Sequence, residues 1–383
     1  MTGATSSLVV LAGGGTGGHV FPAQALAGEL AGRGCRLALV TDRRGAGIGG
    51  AIPGLEVHRV RAGPLAGTRG ARLLLGGVNL ALGTLQARGL LARLRPQAVV
   101  GFGGYASVPT ILAASFAGMP TAIHEQNALL GRANRKLAAR VDRIATSFRG
   151  SEGLPAAAEA KVRWTGMPVR AAVVAERATP YPGIEPDGPC RVLVLGGSQG
   201  ATVFADVVPR AVGLMPERLR SRLRLAQQCR PEDLDRTRRA YAEIGVAAEL
   251  SAFFEDAVER LAAAHLLVAR SGASSVAEAT VIGRPAILVP YPHAVDDHQT
   301  ANAHALDEVG AAWLMPEGGF TPDALAARLK SLFGLPETLE NAAACAHAAG
   351  RPDAAARLAD LVCELIPNGE SGAVAGAARK EAA

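Results

Sequence analysis

A histidine placed directly after a glycine-rich turn is the residue in this sequence best suited to proton transfer. The apolar run 8–12 leads into GGGTGGH at 13–19 and then into a helix-forming stretch. Glycine lets backbone N–H groups approach an anion closely, and the following helix adds a partial positive charge at its first turn. An unperturbed imidazole has a pKa near neutrality, so a histidine at position 19 could take a proton from a hydroxyl nucleophile there.

The same segment also fits a dinucleotide-binding fingerprint. Gly13, Gly15 and Gly18 have the G-x-G-x-x-G spacing, and Asp42 closes the next apolar run, where an acid that binds ribose is expected. The bulky residues 19–21 stand where a pyrophosphate would have to approach, which weighs against a nicotinamide enzyme. An oxidoreductase is therefore kept as a less favoured alternative.

Two more junctions have the same strand, glycine loop and helix order. They are VVGFGGYASVP at 99–109 and VLGGSQGA at 194–201, and the second carries the hydroxyl of Ser198. Glycines of this kind also form ordinary turns in α/β proteins. Three such loops in one chain favour a large ligand with a diphosphate, or two ligands that share a cleft.

Polar residues follow a predicted strand in HEQNALLGRANR at 124–135. The segment begins like a zinc-protease motif, but Ala128 stands where the second histidine would be. Acid, amide and imidazole groups together form a pocket suited to sugar hydroxyls, and the acid Glu125 is a second candidate for the general base.

The richest stretch of the second half is 266–303. The helix predicted after Arg270 could hold a phosphate at its first turn, and Glu278 could accept the hydroxyls of a ribose. An ordinary acid on the helix surface is the alternative interpretation. Asp296 and Asp297 raise the question of a divalent cation. Because glycine loops, helix ends and the arginines at 170 and 270 can neutralise a diphosphate, we expect no metal and no cofactor.

Short, almost continuously apolar runs predict parallel strands buried on both faces. They fall in two series with helical stretches between the runs. The first series is 8–12, 36–41, 55–60, 97–101, 121–124 and 143–146. The second begins in CRVLVLGGSQGA at 190–201 and continues at 223–227, 247–250, 266–269 and 286–290. Alternation of strand and helix predicts two Rossmann-like, doubly wound α/β domains that face a cleft.

We place the first domain at 1–168 and the second at 169–350. A C-terminal helix at 351–366 is expected to pack back on the first domain, and 367–383 is expected to be a disordered tail. The segment 68–96 mixes arginines with leucines at helical spacing, which fits either an anionic membrane surface or a core helix with a solvated basic face.

Composition narrows the class of protein. The 383 residues include only 4% aromatics, which argues against base-stacking nucleic-acid modules, so we expect no nucleic-acid partner. The five cysteines are scattered and odd in number, which is typical of reduced thiols. A formal charge of +6 favours an anionic partner without identifying it.

Seven of these motifs resemble, in order, the MurG family of peptidoglycan glucosaminyltransferases, which have the GT-B fold. They are GGGTGGHVFPA, GFGGYAS, HEQNALLGRANR, GMPVR, GGSQGA, RSGASSVAEAT and DDHQTANA, and they cover roughly residues 8 to 365. That family transfers N-acetylglucosamine from UDP-GlcNAc to the undecaprenyl-diphospho-muramoyl-pentapeptide called lipid I.

The resemblance implies that the second domain binds the UDP-sugar and that the first binds the lipid-linked acceptor. The diphosphate would be held by Ser198 and Arg170, the ribose by Glu278, and the uracil near Phe254. The full set of implied substrate-binding residues is Thr16, Gly17, Gly18, Asn127, Asn134, Arg170, Ser198, Phe254, Ala273, Ser274, Ser275, Val276, Ala277, Glu278, His298 and Gln299. Some relatives carry a glutamine where this chain has His298.

The resemblance further implies an inverting transfer with His19 as the general base and a peripheral position on the cytoplasmic face of the membrane. Its implied partners are UDP-GlcNAc, lipid I, the anionic membrane surface and possible cell-wall synthesis proteins. The alternatives are another GT-B enzyme, such as a diacylglycerol glycosyltransferase or a UDP-GlcNAc 2-epimerase, and a non-catalytic nucleotide-binding scaffold.

Overall fold

Two compact units make up the chain. The computed structural model describes residues 7–14, 17–42, 55–63, 71–197 and 200–366, so the tail predicted at 367–383 lies outside the described residues. The first unit comprises 1–126, 130–168 and 353–383, and the second comprises 127–129 and 169–352. The chain therefore leaves the first unit and returns to it at its C-terminal end.

The first unit contains a parallel sheet with the strand order β3-β2-β1-β4-β5-β6-β7. Its strands are β1 (Leu8–Ala12), β2 (Arg36–Thr41), β3 (Glu56–Arg59), β4 (Ala98–Gly101), β5 (Thr121–Glu125), β6 (Arg143–Thr146) and β7 (Val162–Trp164). Its helices are α1 (Gly17–Gly32), α2 (Ala71–Leu94), α3 (Gly104–Phe116), α4 (Arg132–Leu137) and the last helix of the chain, α14 (Ala354–Leu365).

The second unit contains a parallel sheet with the order β10-β9-β8-β11-β12-β13. Its strands are β8 (Cys190–Leu195), β9 (Leu223–Gln228), β10 (Ala248–Ser251), β11 (Leu266–Ala269), β12 (Ala286–Leu288) and β13 (Ala312–Leu314). Its helices are α5 (Ala171–Ala175), α6 (Thr202–Gly213), α7 (Glu217–Arg220), α8 (Leu234–Glu243), α9 (Ala257–Ala263), α10 (Ala273–Ile282), α11 (His298–Glu308), α12 (Pro322–Gly334) and α13 (Pro336–Ala349).

The prediction of two parallel α/β sheets is confirmed, and most predicted strands agree to within two residues. Two strands were missed, β7 and β13, and both are three-residue strands at a sheet edge. An edge strand of three residues pairs on one side only, so it needs no continuous apolar run and leaves no pattern to detect.

The last helix completes the core of the first unit. Leu358 and Val362 on α14 are fully buried and pack with Leu11 of β1 and Leu26 of α1. At the surface, the guanidinium of Arg33 donates to the Asp360 carboxylate over 2.7 Å and to the Ala356 carbonyl over 3.1 Å. Apolar burial thus supplies the main attraction, and these polar contacts fix the register of the helix.

No helix among the described residues is long and apolar enough to cross a membrane.

Truncating Leu358 tests the contribution of the last helix. Leu358→Ala removes a fully buried side chain and leaves a cavity, so the free energy of opening the first unit should fall by about 2–5 kcal/mol. Native-state hydrogen exchange of the β1 amides measures that free energy. The matched control is Leu85→Ala on α2, which is 65% exposed and should change it by less than about 0.5 kcal/mol. Equal effects of the two substitutions would contradict the packing role.

Candidate functional site

His19 lies in the first turn of α1, directly after β1, against the second glycine loop. Gly103 and Gly104 have positive φ angles of 77° and 68°, a conformation that favours glycine. A Cβ added at Gly103 would lie 3.5 Å from His19 Cε1, and one at Gly104 would lie 3.4 Å from His19 Nε2. The second glycine loop therefore packs against the imidazole of His19, which follows the first glycine loop in the sequence.

The other ring nitrogen of His19 is held by an amide. His19 Nδ1 lies 3.2 Å from Gln126 Oε1. Gln126 is 2% exposed, and its Nε2 lies 2.9 Å from the Phe102 carbonyl and 3.1 Å from the His124 carbonyl. Gln126 is one residue of the HEQNALLGRANR motif, and nothing in its local sequence pattern shows that it contacts His19.

Glu125 and Asn134 of the HEQNALLGRANR motif contact each other in a buried network. The Glu125 carboxylate is 1% exposed, and its Oε2 accepts from the Gly131 N–H (2.9 Å) and from Asn134 Nδ2 (2.8 Å). Asn134 also donates to the His124 carbonyl over 3.1 Å. Glu125 thus fastens the loop that precedes α4, and this geometry favours His19 over Glu125 as the base.

Asn127 lies on the three-residue segment that packs with the second unit. Its Oδ1 accepts from Asn302 Nδ2 over 3.1 Å, and Asn302 Oδ1 accepts from the Ala128 N–H over 2.8 Å. Asn302 is fully buried and also donates to the Ser271 carbonyl. Asn302 therefore positions Asn127. Asn302 belongs to the DDHQTANA motif, but the motif alone does not show this contact.

The first turn of α10 carries unsatisfied polar groups. Gly272 precedes the helix and provides no side-chain cap, and Ala273 is its first residue. The Ser274 hydroxyl is buried and has no hydrogen-bond partner within the described parts of the chain. Exposed N–H groups of a helix start and an unpartnered hydroxyl suit a phosphate group. Ser275 is partly buried beside them, while Val276 and Ala277 pack into the unit.

The third glycine loop is tightly folded on each side of Ser198, which itself lies outside the described residues. Gly197 and Gly200 have φ angles of 80° and 67°. A Cβ at Gly196 would lie 2.5 Å from the Ala201 backbone nitrogen, so a larger residue would disrupt the turn. Thr16 also lies outside the described residues, and Gly17 and Gly18 begin α1.

Arg170 and Glu278 form an ion pair that the sequence did not predict. Arg170 Nη2 lies 3.0 Å from Glu278 Oε1, across 108 residues of sequence. Burial raises the pKa of the Glu278 carboxyl, and the charge and hydrogen bond of Arg170 oppose that rise. Glu278 and Arg170, which were expected to bind the ribose and the diphosphate respectively, are thus adjacent. The positive charge of Arg170 reduces the free-energy cost of burying the Glu278 carboxylate.

The guanidinium of Arg270 is held by contacts within the second unit. It was expected to help neutralise a diphosphate, but it is only 9% exposed and donates to the carbonyls of Val289 and Pro290. Its Nη2 lies 2.5 Å from Glu317. These contacts use the guanidinium to hold the loop after β12, which leaves the arginine a structural role.

The remaining predicted residues belong to the second unit, with Phe254 before α9 and with His298 and Gln299 in the first turn of α11. Phe254 is buried, with the guanidinium of Arg260 4.5 Å from its ring centre. His298 Nδ1 lies 2.8 Å from the Val295 carbonyl, and Gln299 Oε1 accepts from the Tyr291 N–H over 2.9 Å. Within the described residues, no group of three His, Cys, Asp or Glu side chains could hold a metal ion.

Family models match both halves of the chain. Residues 9–146 match the glycosyltransferase family 28 N-terminal domain, and residues 191–358 match the glycosyltransferase family 28 C-terminal domain. The chain belongs to glycosyltransferase family 28. The glycine fingerprint at 13–18 therefore lies in a glycosyltransferase domain, and the nicotinamide interpretation of it is not needed.

Curated relatives of this family are similar over nearly the whole chain. A protein of Paramagnetospirillum magneticum is 60% identical over 366 residues, which is 96% of this chain and 98% of the relative. One of Rhodospirillum rubrum is 57% identical over 92% of this chain and 91% of its own length. Both are named UDP-N-acetylglucosamine--N-acetylmuramyl-(pentapeptide) pyrophosphoryl-undecaprenol N-acetylglucosamine transferase.

Solved structures confirm the GT-B fold prediction. Acinetobacter baumannii MurG is 28% identical, with a TM-score of 0.77 over 94% of this chain and 99% of that structure. A kitacinnamycin glycotransferase has a TM-score of 0.66 over 94% of this chain and 98% of its own, at 17% identity, which shows the shared fold alone. The resemblance to the MurG family that seven motifs indicated is confirmed.

The raised pKa of Glu278 predicts a pH-dependent stability difference. The folded protein keeps this proton to higher pH than the unfolded chain, so ionisation favours unfolding as the pH rises above the ordinary carboxyl value of about 4. Glu278→Gln should therefore raise the unfolding temperature relative to wild type, and the difference should grow as the pH rises above that ordinary value. Thermal scans at increasing pH measure the effect.

Two variants complete this test. Arg170→Ala removes the cation that opposes the rise, so its loss of stability should grow with pH. Glu259→Gln, at an exposed position on α9, is the control and should give a pH-independent difference. A pH-independent effect of Glu278→Gln as well would show that burial does not control this carboxyl.

Proposed function

We propose that this family 28 enzyme transfers N-acetylglucosamine from UDP-GlcNAc to the 4-hydroxyl of the muramoyl unit of lipid I, a step of peptidoglycan synthesis. The names of relatives up to 60% identical support these substrates. The observation that carries the proposal is His19, an imidazole set against two glycine loops at the carboxyl end of β1.

The second unit binds the UDP-sugar in this proposal. The diphosphate accepts hydrogen bonds from the first turn of α10 and the Ser274 hydroxyl, and Ser198 with its loop assists. Glu278 accepts hydrogen bonds from the ribose hydroxyls, while Arg170 opposes the rise in the Glu278 pKa and adds positive charge. Phe254 lies near the uracil, and His298 and Gln299 lie near the sugar.

The first unit binds the acceptor and removes its proton. The muramoyl 4-hydroxyl oxygen attacks the anomeric carbon of N-acetylglucosamine, and the proton passes to the imidazole of His19. The bond from that carbon to the β-phosphate oxygen breaks, and its electron pair leaves with UDP. Attack on the face opposite UDP converts the α-linkage into a β-linkage, and the imidazolium then releases its proton to solvent.

Stabilisation of the leaving group comes from fixed dipoles. Negative charge develops on the β-phosphate as the bond breaks, and the N–H groups and positive dipole end at the start of α10 would stabilise it. The other proposed contacts to the sugars are Gly17 and Gly18 at the start of α1, together with Thr16, Asn127 and Asn134.

A UDP-GlcNAc 2-epimerase and a diacylglycerol glycosyltransferase remain the runner-up activities. A structure titled as a putative UDP-N-acetylglucosamine 2-epimerase from Listeria monocytogenes has a TM-score of 0.64 at 15% identity, which reflects fold alone. The curated names at 60% and 57% identity favour transfer to the muramoyl acceptor.

Removal of the imidazole tests the catalytic role of His19. His19→Ala should lower kcat by about 10²- to 10⁴-fold, the usual contribution of a general base, while UDP-GlcNAc binding persists. Release of UDP on addition of lipid I measures kcat, and calorimetry measures binding. Running the assay with EDTA tests the expectation that no metal is required.

The control is His304→Ala. This histidine is exposed on α11, and it pairs with Glu308 one turn further along the same helix. It should leave turnover unchanged. Normal turnover of His19→Ala would remove His19 from the role of base, and UDP-GlcNAc binding without turnover in wild type would favour a non-catalytic scaffold.

We further propose that α2 carries the surface that meets the membrane. Val78, Leu82 and Leu85 form an apolar stripe at i, i+4 and i+7, and they are 55%, 38% and 65% exposed. Phe116, at the end of the adjacent α3, is 64% exposed. The opposite face of α2 packs into the core through Ala87 and Leu91.

Charge favours an anionic lipid surface as the partner of this stripe. Arg88 and Arg93 are exposed on the same helix, and arginine beside an exposed apolar stripe is typical of peripheral membrane helices. Arg69 lies outside the described residues, as does the side chain of Arg72. Both interpretations of the segment 68–96, a core helix and a membrane-facing surface, therefore apply to α2. One face of the helix packs into the core, and the other face is solvent-exposed.

Vesicle co-sedimentation tests this surface. The triple variant Val78→Ser, Leu82→Ser, Leu85→Ser should lose binding to vesicles that contain anionic phospholipid. Arg88→Glu with Arg93→Glu should weaken binding by at least roughly tenfold, since each basic residue contributes about 1 kcal/mol at such a surface. The control, Leu214→Ser with Leu335→Ser, changes equally exposed leucines of the second unit. Equal binding of all variants would reject the stripe as the membrane contact.

A further inference from the structure

A chain of hydrogen bonds leads from a backbone carbonyl to the imidazole of His19. His124 Nε2 lies 3.3 Å from the Gly166 carbonyl oxygen, and His124 Nδ1 lies 3.2 Å from Gln126 Nε2. Gln126 Oε1 lies 3.2 Å from His19 Nδ1. All four residues belong to the first unit, and neither His124 nor Gln126 has yet been given a part in the chemistry.

The direction of the first bond is set by the carbonyl of Gly166, which can only accept. His124 is fully buried, and burial lowers its pKa to about 4, so its ring is neutral at physiological pH. A neutral imidazole has one N–H, and the Gly166 carbonyl requires it on Nε2. His124 Nδ1 is therefore an acceptor and must face a donor.

The orientation of the Gln126 amide follows from its surroundings. One end of the amide faces three acceptors, which are His124 Nδ1 and the carbonyls of Phe102 and His124. That end must be the NH₂ group, because an oxygen there would face three lone pairs at about 3 Å. The carbonyl oxygen of Gln126 is therefore the end that faces His19.

The last bond then fixes the proton on His19. Gln126 Oε1 accepts only, so His19 Nδ1 carries a hydrogen, and in the neutral ring the lone pair is on Nε2. A Cβ at Gly104 would lie 3.4 Å from that Nε2, so the second glycine loop packs against this edge of the ring.

We propose that Gln126 is a positioning residue that, oriented by His124 and the Gly166 carbonyl, holds His19 in the Nδ1–H tautomer and presents its Nε2 lone pair to the acceptor hydroxyl. The part of this statement that concerns the hydroxyl rests on the proposed function, whereas the tautomer does not. A carboxylate commonly orients a catalytic histidine through Nδ1, and a neutral amide would do so here without adding a charge.

The experiment uses the full-length protein labelled with ¹⁵N-histidine. Nitrogen chemical shifts distinguish a protonated from an unprotonated ring nitrogen, and the His19 signals are assigned by their loss in His19→Ala. Wild type should show His19 with hydrogen on Nδ1. Gln126→Met keeps the length of the side chain but cannot accept a hydrogen bond, so it should give a mixture of tautomers.

Kinetics provide the second readout. Gln126→Met should lower kcat by about 10-fold or more, because only part of the enzyme holds the productive tautomer, and should leave the KM for UDP-GlcNAc within twofold of wild type. The control is Gln97→Met in the same unit, where Gln97 accepts from the Leu8 N–H over 2.6 Å. It should leave the His19 signals and kcat unchanged.

The outcomes separate this inference from the proposed function. Hydrogen on Nε2 of His19 in wild type, or unchanged His19 signals in Gln126→Met, would overturn the inference whatever the activity. The expected signals together with no transfer to lipid I would instead support the tautomer and count against the proposed acceptor. A fold lost in Gln126→Met is detected by its amide spectrum, and Gln126→Leu then repeats the test.

Discussion

The register of the first sheet is the constraint on which the rest of the site depends. β1, β4 and β5 are adjacent and parallel, with Ala12 beside Gly101 and Gly101 beside Ile123. Strands that end level with one another must start their loops at the same edge. A Cβ at Gly101 would lie 2.8 Å from Ile111, so this glycine also lets α3 pack close to β4. His19, the second glycine loop and Gln126 are brought together by that register.

In the second sheet, too, loops begin side by side at the carboxyl ends of adjacent parallel strands. β8 and β11 are adjacent, with Leu195 beside Ala269, so the third glycine loop and the first turn of α10 begin side by side. Both units therefore use the carboxyl ends of parallel strands, but the first positions an imidazole and the second positions N–H donors and an ion pair.

Much of this was predictable from the sequence, and the failures have physical causes. Strand runs and glycine loops are local signals, which is why most strands and the position of His19 were correct. The pair of Arg170 with Glu278 and the use of Arg270 as a loop support depend on packing between distant segments. The hydrogen bond of Gln126 to His19 likewise spans 107 residues, and the amide type does not reveal its orientation. Strands of three residues carry too little pattern to detect.

The return of α14 to the first unit has a consequence for synthesis of the chain. The second unit is an insertion between 168 and 353, and the first unit lacks Leu358 and Val362 from its core until these residues leave the ribosome. During translation the later-encoded unit can therefore finish folding before the earlier one, which reverses the usual N-terminal-first order. A nascent chain of the first 168 residues would expose an apolar surface, and chaperones recognise such surfaces.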